Sequence, residues 1–171
     1  QWEFEIDHGV SGIDRGFYER TSLDSKILVP FCPESELSGI NNKDFMNCVW
    51  YLKKVKIKKK KKNVILHFGA VDQIAEVWIN NKKIREHEGG YLPFSIDITD
   101  FILMDKENQL IVKVTDTLSK KYPYGKQCKN RGGMWYTPVS GIWQTVWVES
   151  IPKISINNIK LTPDTTGITL E

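Results

Sequence analysis

Apolar and polar positions alternate with a period of two along most of the chain, and no segment sustains the helical period with caps. β-branched and aromatic residues concentrate in short runs bounded by Gly, Pro, Asn and Asp. Strands are predicted at Lys26–Val29, Val49–Ile57, Asn63–Phe68, Ala75–Ile79, Ser95–Ile98, Gln109–Thr115, Ile142–Val148 and Ile154–Leu161. Residues 1–24 are turn-rich, but Trp2, Phe4 and Ile6 alternate as one more short strand. In Ile142–Val148 both alternating sets are largely apolar, with Trp143, Thr145 and Trp147 on one side and Ile142, Val146 and Val148 on the other. Such a strand is expected in the middle of a sandwich, covered on both faces.

The turns carry their own signals. Asn80-Asn81 follows the alternating Ala75-Glu-Val-Trp-Ile79 and tolerates the positive φ of a type I′ hairpin. Gly89-Gly90 permits close backbone approach before Tyr91 and Pro93. Ile98–Ile102 reads as a short helical turn capped by Thr99 or Asp100. Thr137-Pro-Val-Ser-Gly141 breaks the chain ahead of Ile142, and Thr162–Gly167 reads as a turn leading nowhere. Many short strands separated by turns indicate an all-β fold, and long crossing loops suit a jelly-roll β-sandwich.

The 171 residues, 40% hydrophobic, suffice for one domain with one core. No apolar run approaches membrane-spanning length and no signal peptide opens the chain, so no membrane partner is expected. The start at Gln1 and the unfinished end suggest a piece of something longer. One domain is expected over 1–161, and 162–171 reads as the start of a linker or next domain, with Leu170-Glu171 a candidate vector-derived end. Three cysteines, Cys32, Cys48 and Cys128, are odd in number and lack CxxC spacing, which favours reduced, buried thiols over disulfides or zinc. The three histidines show no ligand spacing. His67, inside Val64–Phe68, reads as a strand histidine satisfied by its neighbours, so neither metal nor cofactor is expected. The net charge of +3 arises largely from the run Lys53–Lys62. That run lacks interleaved aromatics, so a solvated hairpin tip or a protected sheet edge explains it better than nucleic-acid binding.

Two carboxylate pairs at i, i+2 spacing, Glu34/Glu36 and Glu86/Glu88, could each converge on one face of an extended segment. With no activating environment legible around them, solvated acidic loops are the preferred reading. Of the tryptophans, Trp50, Trp78, Trp143 and Trp147 fall in predicted strands, where at least half should be core.

Three blocks carry a resemblance. Gly132-Gly-Met-Trp-Tyr-Thr-Pro-Val-Ser-Gly-Ile-Trp-Gln-Thr-Val-Trp-Val-Glu149 resembles the closing strands of the N-terminal sugar-binding domain of family 2 glycoside hydrolases, the β-galactosidase and β-glucuronidase group. Gly69–Thr99, with its Asn-Asn hairpin and His87-Glu-Gly-Gly-Tyr-Leu-Pro-Phe94, is similar to that domain's central block, which usually carries Asn-Gly. Val29-Pro-Phe-Cys-Pro-Glu-Ser35 with Val49-Trp-Tyr51 resembles its opening strands. The resemblance implies a galactose-binding-domain-like jelly roll in a bacterial protein, with a cytoplasmic setting favoured over export.

It also implies a parent hydrolase that cleaves β-linked sugars with retention, using two carboxylates about 5–5.5 Å apart. Those would lie on a (β/α)8 barrel of roughly 250 residues, so no catalytic residue is assigned here and the fragment alone should be inactive. The implied partners are a β-linked carbohydrate, the downstream immunoglobulin-like and barrel domains, and a second copy in a homo-oligomer. The loop Thr115–Trp135 matches the family's substrate-facing loop and offers Asp116 as acceptor, Lys126 as donor, Gln127 and Asn130 as both, and Trp135 and Tyr136 as stacking faces. Gly133 stands where some β-galactosidases carry an aspartate before Met-Trp, while Gly125-Lys-Gln127 resembles another branch. The alternative is an autonomous lectin-like module.

Overall fold

A computed structural model describes residues 1–58, 63–156 and 158–170. Its strands are β1 (Trp2–Ile6), β2 (Ser25–Ile27), β3 (Cys48–Lys56), β4 (Asn63–Phe68), β5 (Val71–Asp72), β6 (Ile74–Ile79), β7 (Lys82–Glu88), β8 (Phe94–Asp97), β9 (Glu107–Thr115), β10 (Gly141–Ile142), β11 (Val146–Ile151), β12 (Leu161–Pro163) and β13 (Ile168–Leu170). They form a jelly-roll β-sandwich. One antiparallel sheet runs β2-β1-β3-β9-β6-β7, the opposing one runs β11-β4-β8, and β10 pairs with β5.

Alternation along each strand builds the core. Phe4, Val49, Tyr51, Ala75, Val77, Val112 and Val114 of the larger sheet meet Val64, Leu66, Phe68, Phe94, Ile96 and Ile142 from the other side. The larger sheet is also covered on its outer face. Trp50, Leu52, Trp78 and Ile111 pack there against Phe17 and Leu23 of the N-terminal segment, with Trp50 and Trp78 centroids 5.5 Å apart. Every residue from Cys48 to Leu52 is therefore at most 1% exposed. β3 is the strand with cover on both faces, flanked by β1 and β9.

The N-terminal segment is held down by Asp7. Its carboxylate accepts from the backbone N–H of Ser11 at 3.1 Å and Gly12 at 2.6 Å and from Trp50 Nε1 at 3.2 Å. Burial would raise its pKa, but these donors win and hold it below the usual carboxylate value. Gly12 packs so closely on Trp50 and Asp7 that a Cβ would clash with both.

Several expectations hold. β1 forms, and Asn80 and Asn81 take φ of 48° and 67° in a two-residue hairpin joining Ile79 to Lys82; of the cysteines expected to be buried, Cys48 is, while Cys32 and Cys128 are half-buried. That hairpin's second strand, β7, is solvent-facing and too polar to read as a strand. Of the four strand tryptophans, Trp50 and Trp78 are core.

Other expectations are corrected. Ile142–Val148 is not one central strand: Ile142 ends β10, and β11 begins at Val146 on the edge of the smaller sheet, leaving Trp147 44% exposed. Ile154–Leu161 is not one strand: among its described residues only Leu161, the first of β12, is in a ladder, because Pro152 follows the end of the β11 ladder and Ile154 and Ile156 stay exposed. The turn at 164–167 joins β12 to β13, a hairpin paired only with itself. The turn after Ile98 is capped by Asp97, which accepts from Thr99 N–H at 3.0 Å, while the Thr99 hydroxyl accepts from Val64 N–H at 2.9 Å. The part of the lysine run at Lys53–Lys56 lies in β3, where among the described strands it pairs with β9 alone because β1 reaches no further than Leu52, and β3 and β4 belong to different sheets rather than to one hairpin. Lys59–Lys62 lie outside the described residues.

Asp7→Ala leaves the Gly12 amide and the Trp50 indole without an acceptor. It should cost about 2–4 kcal/mol, read as a lower urea midpoint with loss of Trp50 fluorescence change in the same transition. Unchanged stability would show that the N-terminal segment is not part of the cooperative unit.

Candidate functional site

Register places several loops at one end of the sandwich. Ile74 opposes both Glu88, the last residue of β7, and Thr115, the last of β9, while Cys48 opposes Thr115 from the other side. The loops leaving Glu88 and Thr115 therefore rise together, beside β5 and β10. Lys121 Nζ and the Tyr122 hydroxyl donate to Glu88 Oε1 at 2.8 and 2.6 Å, tying the two loops.

The long loop is braced. Tyr136 N–H donates to Lys126 O at 2.9 Å and Cys128 N–H to Tyr136 O at 3.0 Å. Positive φ at Gly132 and Gly133 turns the chain back between them. Val139 N–H donates to Gln127 Oε1 at 2.6 Å, Lys129 Nζ lies 3.9 Å above the Phe45 ring, and Arg131 donates to Lys43 O. Lys126, Asn130, Trp135 and Tyr136 are exposed on this excursion.

Asp116 is not among them. It is 5% exposed at the loop's root, where Oδ1 accepts from Leu118 N–H at 2.8 Å. Gln127 is half-buried and its amide oxygen accepts from Val139 N–H, which leaves one lone pair of that oxygen and the N–H groups for other partners.

Glu34 overturns the solvated-loop reading for its pair. It is 7% exposed, accepting from Ser140 Oγ at 2.8 Å and Ser140 N–H at 3.3 Å. Glu36, Glu86 and Glu88 are exposed as expected. Alongside, the Tyr51 hydroxyl accepts from Ile142 N–H at 3.2 Å, and Gly141, at φ 81°, has no room for a Cβ against that hydroxyl. These bonds seat β10 against the core.

Asp72 was missed altogether. It sits in β5 opposite Gly141, 8% exposed, and its carboxylate accepts no hydrogen bond among the described residues. Burial, then the charges of Asp116 and Glu34, push its pKa up to about 7. Burial likewise raises Glu34 and Asp116. The only signal was a lone acid between Val71 and the strand Ile74–Ile79, and nothing local shows that residues 34 and 116 arrive beside it. Gly90 packs on it so closely that a Cβ would lie 2.5 Å from Oδ1. Gly90 O in turn accepts from Trp143 Nε1 at 2.9 Å, and Trp143 meets Tyr91 edge-on at 6.3 Å. The end of the sandwich thus combines buried carboxylates with exposed aromatic surface at Tyr91, Trp135 and Tyr136, a combination suited to binding hydroxyl-rich rings.

His67 lies apart, on the smaller sheet. Its ring stacks on Trp147 at 4.7 Å, with Nδ1 2.8 Å from Ser95 Oγ and Nε2 3.2 Å from Glu149. Among the described residues no three Asp, Glu, His or Cys side chains are grouped as a metal ion requires.

Residues 32–152 match the family described as glycosyl hydrolases family 2, sugar binding domain. The chain is 31% identical over 124 residues to a β-galactosidase of Thermoanaerobacter pseudethanolicus, covering 71% of this chain and 16% of that protein. It is 31% identical over 115 residues to a putative β-glucuronidase of Formosa agariphila, covering 66% of this chain and 13% of that protein. Among solved structures, a β-glucuronidase of an uncultured Clostridium species aligns over 99% of this chain and 31% of its own, with a TM-score of 0.73 at 26% identity. The chain therefore spans roughly a sixth or less of the length of the two curated relatives it matches.

The buried acids set a pH dependence. Raised folded-state pKa values mean that folding takes up protons, so this cluster's contribution is complete below about pH 4 and is lost as pH rises through about 7. Asp72→Asn removes the buried charge. It should raise the melting temperature at pH 8, by roughly 2–4 °C per kcal/mol recovered, with the gain shrinking toward pH 5. A gain equal at both pH values would show that Asp72 is ionised alike in the folded and unfolded chain, with no raised folded-state pKa.

Proposed function

The chain belongs to the sugar-binding domains of glycosyl hydrolase family 2, and from that premise we propose that it is the non-catalytic domain of a longer bacterial hydrolase that cleaves β-linked glycosides with retention. It packs on a catalytic barrel and supplies one wall of the substrate pocket. The unit runs over 1–161, and 162–171 opens the following, immunoglobulin-like segment. The self-paired β12–β13 hairpin, with Leu161, Ile168 and Leu170 exposed, supports that boundary.

The observation that carries the wall reading is the convergence at one end of the sandwich. Tyr91, Leu92, Met134, Trp135 and Tyr136 are between 46% and 72% exposed there, on loops braced by hydrogen bonds rather than by a core. Apolar surface concentrated on positioned loops marks a site completed by something else. The relatives, β-galactosidase and β-glucuronidase by name, support a sugar in the space between. Lys126 and Asn130 supply polar contacts on the same excursion, and the N–H groups of Gln127 add donors.

Trp135→Ala with Tyr136→Ala, introduced into the parent polypeptide, should raise KM for a nitrophenyl β-glycoside roughly tenfold, given about 0.5–1.5 kcal/mol for each aromatic contact. The change in kcat should be smaller. The 171-residue chain alone should not hydrolyse the substrate above a heat-killed control. An unchanged KM removes the wall role, and hydrolysis by the chain alone removes the non-catalytic assignment.

A further inference from the structure

One position on the core-facing side of β3 breaks the apolar pattern. Tyr51 is core, and alternation puts Lys53 and Val55 on the same side of the sheet. Lys53 pairs across the sheet with Leu110, which pairs in turn with Ile79, both of them core. A lysine among such neighbours carries its charge out along an apolar stem. Lys53 does so, and its Nζ donates to Gln1 O at 2.6 Å in an exposed bond. That acceptor is an uncharged carbonyl, which leaves the ammonium two more N–H donors at the surface.

Behind Lys53 the two sheets leave a cavity of about 230 Å³. Val55, Ile79 and Leu110 of the larger sheet line it from one side, and Leu66, Ile98 and Val148 from the other. Among the described residues Lys53 is the one charged group on its wall. Asn108 also reaches it, but that amide is spent: it accepts from Asn80 Nδ2 and Leu103 N–H and donates to Leu103 O and Lys106 O. Cores are packed at nearly crystalline density, so an apolar void of this size is out of the ordinary. Such cavities stay dry and take apolar guests, and about 150 Å³ suffices for benzene. In proportion, this one holds roughly nine carbons. It lies toward the Lys56 and Glu107 ends of β3 and β9, whereas the candidate sugar site rises from their Cys48 and Thr115 ends.

The surface beside the opening is positive. Lys26 and Lys54 line a shallow depression that shares Trp2 and Lys53 with the cavity. Its one acid, Glu3, is engaged by Leu23 N–H at 2.8 Å. A sugar does not suit the cavity, because walls of Val, Leu and Ile leave its hydroxyls without partners. An apolar chain ending in one negative charge suits both halves. We propose that the cavity binds a monocarboxylate with an unbranched apolar body of about nine carbons, its chain between the sheets and its carboxylate on Lys53. The assignment shares no residue with the pocket wall and does not depend on it.

The test is isothermal calorimetry on the parent polypeptide with octanoate, octanol and acetate. Octanoate should bind saturably with a negative heat-capacity change, as burial of apolar surface requires, and acetate should not bind. Lys53→Met should weaken octanoate about tenfold, as loss of a charged hydrogen bond does, and leave octanol unchanged or tighter. Val55→Phe fills the cavity and should abolish binding of both, with a thermal midpoint equal to or above that of the parent. No saturable octanoate binding below its micelle concentration overturns the proposal. So does full binding in a folded Val55→Phe variant, which would place the ligand elsewhere. Equal weakening of octanoate and octanol by Lys53→Met overturns the carboxylate assignment. If Val55→Phe does not fold, the contrast between the two ligands in Lys53→Met decides alone.

Discussion

Burial of β3 on both faces is the constraint on which the rest of the structure depends. Cys48–Leu52 is sealed by the opposing sheet on one side and by the N-terminal segment on the other. Each large side chain removed from water there contributes on the order of 1.5–3 kcal/mol. Because β3 is paired along its length with β9 and at its start with β1, the register of the whole larger sheet follows from it. Tyr51 extends the constraint across the sandwich, since its hydroxyl seats Ile142 and so fixes where β10 lies.

The two buried acidic features of the molecule have opposite electrostatic character. Asp7 is surrounded by donors and stabilises the segment it holds. Asp72 accepts no hydrogen bond among the described residues and is opposed by two like charges. A protein gains nothing structurally from the second arrangement, as an unpaired buried charge costs more than a paired one returns. The cost sits at the loop end of the sandwich, beside exposed aromatics, while the Asp7 cluster sits on the opposite face of the larger sheet from the core. The two acids thus lie in different parts of the sandwich, Asp7 beneath the N-terminal segment and Asp72 in the β5–β10 pair.

Much of the fold was legible because its signals are local. Ala75–Ile79 alternates and ends in two asparagines that accept positive φ, and both the strand and the hairpin form. Trp2, Phe4 and Ile6 alternate, and β1 forms. Where the sequence misled, a non-local term decided. Ile142–Val148 is apolar on both sides, yet Gln144 and Thr145 separate β10 from β11, and β11 ends as an edge strand. Lys82–Glu88 is polar throughout, yet its backbone pairs with β6 because the Asn80-Asn81 turn delivers it there. At the candidate site, Trp135 and Tyr136 were identifiable as loop aromatics, whereas Glu34 read as solvated until Ser140, more than a hundred residues away, covered it.

By itself the sequence determined the all-β class, the turn chemistry, the family and the loop that carries the exposed aromatics, since each is written in residue types within a few positions of one another. Only the tertiary structure decided which strand is central, that the Gln127 oxygen accepts from Val139, and that Glu34, Asp72 and Asp116 share one buried end. The physical reason is the same throughout. Burial and charge are properties of the space around a residue, and in a sandwich of crossing strands that space is furnished by segments far away in the chain.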